Sequence, residues 1–160
     1  MAKVDMFLKV EGSKSGAIKG ETRDAARKDE IDIVGWSWGM RAQTEMAGGG
    51  AAGKTSMREL NVRKKVDSSS TALMSAMRNN ERIKRAVLTV RKAGSQPLDY
   101  FKITVENGRI TAIDVESADD ESPELVERLS FSFQKIGVEY VPQGEDGLPR
   151  GAMLFETETL

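Results

Sequence analysis

The sequence predicts a mainly β fold, a β-barrel or tight sandwich with a single helix, and three observations predict it. Apolar residues alternate with polar ones at a period of two in several separate runs along the 160 residues, as half-buried strands require. Two of these runs change parity part-way, at Val34–Gly35 and near Lys135, which needs an extra residue and marks a β-bulge, the device by which sheets curl. Only one stretch, Thr71 to Arg78, repeats its apolar residues at helical spacing.

In chain order, Val4, Met6, Leu8 and Val10 alternate with Asp5, Phe7 and Lys9, giving a first strand over 4–10. Residues 11–28 are rich in Gly, Ser and charge, with a short strand at Ala17–Thr22. The central stretch, Asp29 to Met40, holds both tryptophans. Its apolar residues sit on odd positions at Ile31 and Ile33, then on even ones at Val34, Trp36, Trp38 and Met40, so it reads as one long bent strand with a bulge beside Gly35. After a polar, Gly-rich loop over 42–56, Leu60, Val62, Lys64 and Val66 alternate with Asn61, Arg63 and Lys65 as another strand. Asp67 and Ser68–Ser70 supply capping side chains before the helix, whose stripe is Leu73, Met74 and Met77; the two methionines read as core filler. Strands follow at Ala86–Lys92 and Leu98–Glu106, and Asn107–Gly108 signals a type I′ hairpin into Arg109–Val115. Residues 114–124 form an acidic loop. A second long bulged strand spans Leu125–Val141, and residues 144–160 form a tail whose Met153–Phe155 is an apolar end, flexible or docked on a neighbour. No internal repeat or second domain is visible, so residues 1–160 read as one domain.

Composition removes whole classes of chemistry. The chain has no His and no Cys, which excludes disulfides, thiolate chemistry, and the commonest general base and zinc ligand. Any metal site would be all oxygen, and no cofactor or metal is expected. The N-terminus carries charges where a signal peptide needs its apolar region, and no apolar run reaches spanning length. The protein is therefore expected to be made in the cytoplasm and not to leave by the general secretory route. Charge is unevenly spread: net charge is 0 over residues 1–50, +8 over 51–102 and −9 over 103–160. That split has three readings: solvated faces, a nucleic-acid surface using Arg63–Lys65 and Arg82–Arg85, or opposite faces attracting each other between copies.

Two motifs suggest catalysis, and their surroundings argue against it. Gly35-Trp36-Ser37-Trp38-Gly39 matches the nucleophile elbow G-x-S-x-G, yet no histidine exists to activate Ser37, and a lysine base would be needed instead. Gly48 to Thr55 matches the P-loop G-x-x-x-x-G-K-[ST], yet a phosphate cradle needs a buried strand before it and a helix after it, whereas Leu60–Val66 reads as a strand. The loop is better read as a mobile hairpin connection.

Several segments together, Val4–Lys9, Ile18–Glu21, Glu30–Asp32 with Trp36–Met40, Gly48–Gly50 with Ala52–Lys54, Leu88–Gly94 and Val138–Gln143, resemble in order the haemolysin-coregulated protein (Hcp) family. The resemblance implies a β-barrel of two antiparallel-rich sheets with one flanking α-helix. It also implies six copies closing into a ring and rings stacking as the inner tube of a type VI secretion system. Implied partners are other copies of the chain, a spike protein at the tip, a contractile sheath and effector proteins in the lumen. Neither nucleic acid nor membrane insertion is implied, and no reaction. After assembly in the cytoplasm the tube would be secreted by the system itself. The long strands would line the lumen, with Ser37 facing the cargo. The loop with Glu45, Gly48, Gly49, Gly50, Gly53 and Lys54 would project to order on a stacked ring.

Overall fold

The computed structural model describes residues 4–42, 55–92 and 97–159. The strands are β1 (Val4–Gly12), β2 (Gly16–Ile18), β3 (Ile31–Ser37), β4 (Met40–Ala42), β5 (Thr55–Met57), β6 (Leu60–Lys65), β7 (Ile83–Lys92), β8 (Leu98–Gly108), β9 (Ile110–Ser117), β10 (Leu125–Phe131), β11 (Lys135–Tyr140) and β12 (Met153–Glu158), with helix α1 at Ser70–Arg78. Strand neighbours run β12-β11-β8-β7-β1-β3-β6-β10-β9, with β2 added to β1 and a separate β4–β5 ribbon. Every pairing is antiparallel. The mainly β class with one helix is as the sequence reads, but among the described residues β12 does not pair with β9, so the strand path is open where a closed barrel was expected.

The bulge read at Val34–Gly35 is present, and it is a corner. The first residues of β3 pair with β1 through Asp32↔Phe7 and Ile31↔Leu8. Its later residues pair with β6 through Gly35↔Arg63, Trp36↔Val62 and Ser37↔Asn61, with the register slipping between Ile33 and Gly35. Val34 is the extra residue. It turns outward, 40% exposed, and the strand thereby leaves one sheet for the other. The strand ends at Ser37, so Met40 starts the separate β4 and is exposed; Val34 and Met40 do not join Trp36 and Trp38 against the core.

The other parity switch is also a corner, and here the expected single strand is two. β10 lies in the second sheet beside β6 and β9, while β11 lies in the first between β8 and β12. The chain crosses at Ser132–Gln134, and the expected Asn107–Gly108 hairpin crosses with it. β8 and β9 are not partners at all. Asn107 has φ 56°, but Gly108 does not adopt the positive φ that a type I′ turn needs at both central residues. Gly108 serves close approach instead, because a Cβ there would stand 1.8 Å from the Ser132 carbonyl oxygen. The two crossings are laced together: Arg109 N–H donates to Ser132 Oγ at 3.1 Å, and Ser132 N–H to Arg109 O at 2.9 Å.

Both sheets contribute to one apolar core, which includes Leu8, Val10, Ile31, Leu60, Val62, Leu88, Ile103, Leu129, Phe131 and Ile136. The helix adds Leu73 and Ala76, three apart on one face. Met74 and Met77 are exposed, not core filler, because the buried stripe includes Ser70 and is rotated away from them. Asp114–Ser117 belong to β9, so the acidic loop is shorter than read, and the short early strand stops at Ile18. The expected tail is structured as well: β12 forms an edge strand on β11, with Met153, Leu154 and Phe155 all exposed.

Gly108→Ala is expected to lower unfolding free energy by about 3 kcal/mol, since backbone on both sides must shift to admit a methyl group. Urea denaturation measures this, and a loss no larger than that of an ordinary surface substitution contradicts the crossing.

Candidate functional site

The second sheet, β3-β6-β10-β9, has its core face covered and its other face open, and alternation decides which residues stand on each. Register sets the open face in rows. One row runs Ser37, Asn61, Ser130 and Ala112; the next runs Gly35, Arg63, Arg128 and Asp114. All of these except Ala112 line a groove of about 510 Å³. The Ser130 hydroxyl donates to Asn61 Oδ1 at 2.5 Å, and Arg128 Nε pairs with Glu116 at 3.2 Å. Ser37 is exposed here. Its neighbour Trp36 points the other way and stacks on Phe101, with ring centroids 5.5 Å apart, so the anchored tryptophan fixes the direction of the serine.

Directly beneath this face lies the least expected feature of the molecule. Lys64 and Glu127 are both fully buried and pair at 2.5 Å. The Lys64 ammonium also lies 3.0 Å from Asp67 Oδ1, 3.0 Å from Ser70 Oγ and 3.1 Å from the Lys65 carbonyl. Ser70 donates to Glu127 Oε2 at 2.7 Å, while Asp67 Oδ1 accepts from the Ser69 N–H at 2.9 Å. The N-cap residue, Ser69, makes no side-chain cap hydrogen bond, so the expected capping is absent; Asp67 and Ser70 serve the buried ammonium instead. They also tie α1 to β6 and β10 through a buried charge pair.

Neither catalytic motif has the local structure it needs. After Ser37 the chain makes strand β4, not the helix of a nucleophile elbow. Among the described residues no lysine lines the groove beside it. Thr55, the last residue of the P-loop match, begins strand β5 instead of a helix. Glu45, Gly48, Gly49, Gly50, Gly53 and Lys54 lie outside the described residues. The basic middle segment is not gathered into one nucleic-acid surface either. Lys64 is inside, Lys65 pairs with Glu124, and Arg85 pairs with Glu106, so basic and acidic segments meet within the same subunit.

With the geometry in place, comparison with known proteins is decisive. The family model described as type VI secretion system effector, Hcp, matches residues 7–140. The chain belongs to the Hcp family. Hcp1 of Pseudomonas aeruginosa is 35% identical over 151 residues, spanning 92% of this chain and 90% of that protein. The solved structure of Hcp1 from Salmonella typhimurium superposes with a TM-score of 0.77 at 29% identity, covering 99% of this chain and 95% of its own. A type VI secretion system effector from Yersinia pestis gives a TM-score of 0.76 at 26% identity, covering 97% of this chain and 100% of its own. Both superpositions agree with the mainly β fold described above.

Sequence reasoning missed two electrostatic clusters, one buried and one only partly covered. The first, Lys64–Glu127, left a signal: both residues occupy the apolar phase of their strands, Lys64 with Leu60 and Val62, Glu127 with Leu129 and Phe131. The second leaves none. Arg91 pairs with Asp24 at 2.5 Å and with Asp5 at 3.1 Å, and lies over the Phe7 ring at 4.9 Å. Arg27 covers the same ring and pairs with Asp99. The Arg91 hydrogen bond, outweighing partial burial, holds the Asp24 carboxyl below the ordinary aspartate range. This cluster pins the irregular segment before β3 onto the first sheet and explains why Phe7, on the polar phase of β1, is buried.

Lys64→Met leaves the Glu127 carboxylate buried without its counter-ion and is expected to cost about 3–5 kcal/mol. The double variant Lys64→Met with Glu127→Leu is expected to be more stable than Lys64→Met alone. Chemical denaturation of both variants tests this, and additive losses would show that the two side chains do not act as a pair.

Proposed function

We propose that this chain is the ring-forming subunit of a type VI secretion tube, with six copies per ring, rings stacked into a tube, and effector proteins held in the lumen. Membership of the Hcp family over residues 7–140 carries the reading. The family resemblance adds the spike at the tube tip and the contractile sheath as partners, cytoplasmic assembly, and secretion of the tube by the system itself. The role is structural and non-catalytic, and the absence of His and Cys from the sequence accords with it. Among the described residues no helix is long and apolar enough to cross a membrane.

Two surfaces suit this role. The β12 edge exposes unpaired backbone together with Met153, Leu154 and Phe155, 64%, 68% and 42% accessible. An exposed apolar edge of this kind favours burial against a neighbouring protein. The face carrying Ser37, by contrast, is polar and concave, as a wall that must release its cargo should be. We assign it to the lumen and Ser37 to cargo contact, where a small hydroxyl leaves room and offers both a donor and an acceptor. The segment with Glu45, Gly48, Gly49, Gly50, Gly53 and Lys54 is assigned to contact between stacked rings.

Light scattering coupled to size exclusion should return a discrete particle of about 105 kDa, six times the 17.5 kDa chain; a monomer contradicts the ring. Ser37→Gln should leave that mass unchanged and reduce effector retention in pull-down, and undiminished retention removes Ser37 from the cargo surface. Shortening residues 48–53 should preserve rings and diminish tubes seen by electron microscopy, whereas loss of the rings themselves would place the segment within the ring.

A further inference from the structure

We propose that the groove beside Ser37 selects a carboxylate, received by the Arg63 guanidinium, and that its occupant is a protein segment carrying an Asp or Glu among uncharged residues. This deepens the cargo reading above and rests on it.

Arg63 is an unsatisfied cation on the open face, among the described residues. Lys65 is paired with Glu124 and Arg128 with Glu116, but among the described residues Arg63 has neither an ion pair nor a side-chain hydrogen bond. Its cross-strand partner on β10 is Arg128. Two like charges opposite each other on neighbouring strands repel, and an anion between them relieves the repulsion. On the other side its partner is Gly35. A Cβ at Gly35 would stand 3.0 Å from Arg63 Nη2 and 3.3 Å from Cζ, so the guanidinium rests against the bare glycine and a methyl group there would push it aside. Ser37 follows two residues on along β3, on the same face. Its hydroxyl has no hydrogen-bond partner among the described residues. Guanidinium fork and hydroxyl together form a donor set matched to a planar carboxylate.

The remaining groups decide which anion. Asp114 lines the same groove, and Glu116 stands on the same strand at the next outward position. They disfavour a continuous polyanion such as a nucleic acid and leave room for an isolated carboxylate. Asn61 and Ser130 extend the neutral hydrogen-bonding row beyond Ser37 and suit the uncharged polar residues around it. One exposed ion pair discriminates only severalfold, but copies arranged in a ring multiply the effect through avidity.

The test uses the purified full chain flowed over three surfaces: immobilised Gly-Ser-Glu-Ser-Gly peptide, its Gln counterpart, and oligothymidylate. Retention on the Glu peptide should exceed that on the Gln peptide by roughly fivefold or more at low salt, and the difference should fade as salt rises. Arg63→Gln should abolish the preference, and Gly35→Ala should weaken it by displacing the guanidinium. Arg85→Gln, on the first sheet and paired with Glu106, should retain it, with circular dichroism confirming that each variant is folded. Equal retention on the two peptides, or an Arg63→Gln chain that keeps the preference, overturns the proposal. Stronger retention on oligothymidylate than on the Glu peptide replaces the protein occupant with a nucleic acid. If the unaltered chain sizes as a monomer but keeps the preference, the ring reading falls and this one stands. A ring without the preference does the reverse.

Discussion

The contact on which much of this molecule depends is the buried pair between Lys64 and Glu127. Two opposite charges taken out of water are tolerated when hydrogen bonds replace much of their lost hydration: Asp67, Ser70 and the Lys65 carbonyl serve the ammonium and Ser70 serves Glu127 Oε2, while Glu127 Oε1 has no partner among the described residues. Those groups come from the end of β6 and from the start of α1, while Glu127 comes from β10. A single ammonium therefore fixes the register of two central strands and the point where the helix docks. Apolar packing alone would allow β6 and β10 to slide by two residues with the same face inward; the charge pair does not.

This constraint reaches the open face because a strand has only two sides. With Lys64 inward, Arg63 and Lys65 must point out; with Glu127 inward, so must Val126 and Arg128. The row Ser37, Asn61, Ser130 and the row Gly35, Arg63, Arg128 are the outward image of an inward pattern set by Trp36, Val62, Lys64, Glu127 and Leu129. The bulge at Val34 completes the arrangement. Without its extra residue the later half of β3 would present Trp36 to solvent and Ser37 to the core, and the tryptophan could not reach Phe101.

Much of this is legible in the sequence, and what is not fails for identifiable reasons. The parity change at Val34–Gly35 is read correctly because it is local: two residues on one strand reveal an insertion. The second parity change is seen but misassigned, since the same signal arises from a bulge within a strand and from a full crossing between sheets. The Asn107–Gly108 pair has the composition of a hairpin turn, but β11 occupies the edge of β8 that β9 would need, and glycine is demanded by the Ser132 carbonyl instead. Phe7 is beyond any local rule, since its cover arrives from Arg27 and Arg91. The helix stripe is misread by one step because Ser70, a polar residue, belongs to the buried face through its bond to Glu127.

The charge split follows the same logic. A run of +8 followed by −9 invites an explanation outside the subunit, yet strands of the two segments are neighbours and their charges meet there, at Lys64–Glu127, Lys65–Glu124 and Arg85–Glu106. Antiparallel pairing brings residues distant in sequence side by side, so segmental charge is a poor guide to surface charge in a β protein. Other charges stay unpaired among the described residues, and Arg63 is one of them. Charge meets charge inside this subunit at a limited set of pairs, and Lys64–Glu127 and Arg85–Glu106 lie where strands of the basic and acidic segments are neighbours. Its outward strand positions remain free to differ in chemistry, because Ser37, Asn61, Arg63 and Ser130 contribute little to the core that their immediate neighbours build. In such a sheet a binding face can change while the inward residues continue to specify the same fold.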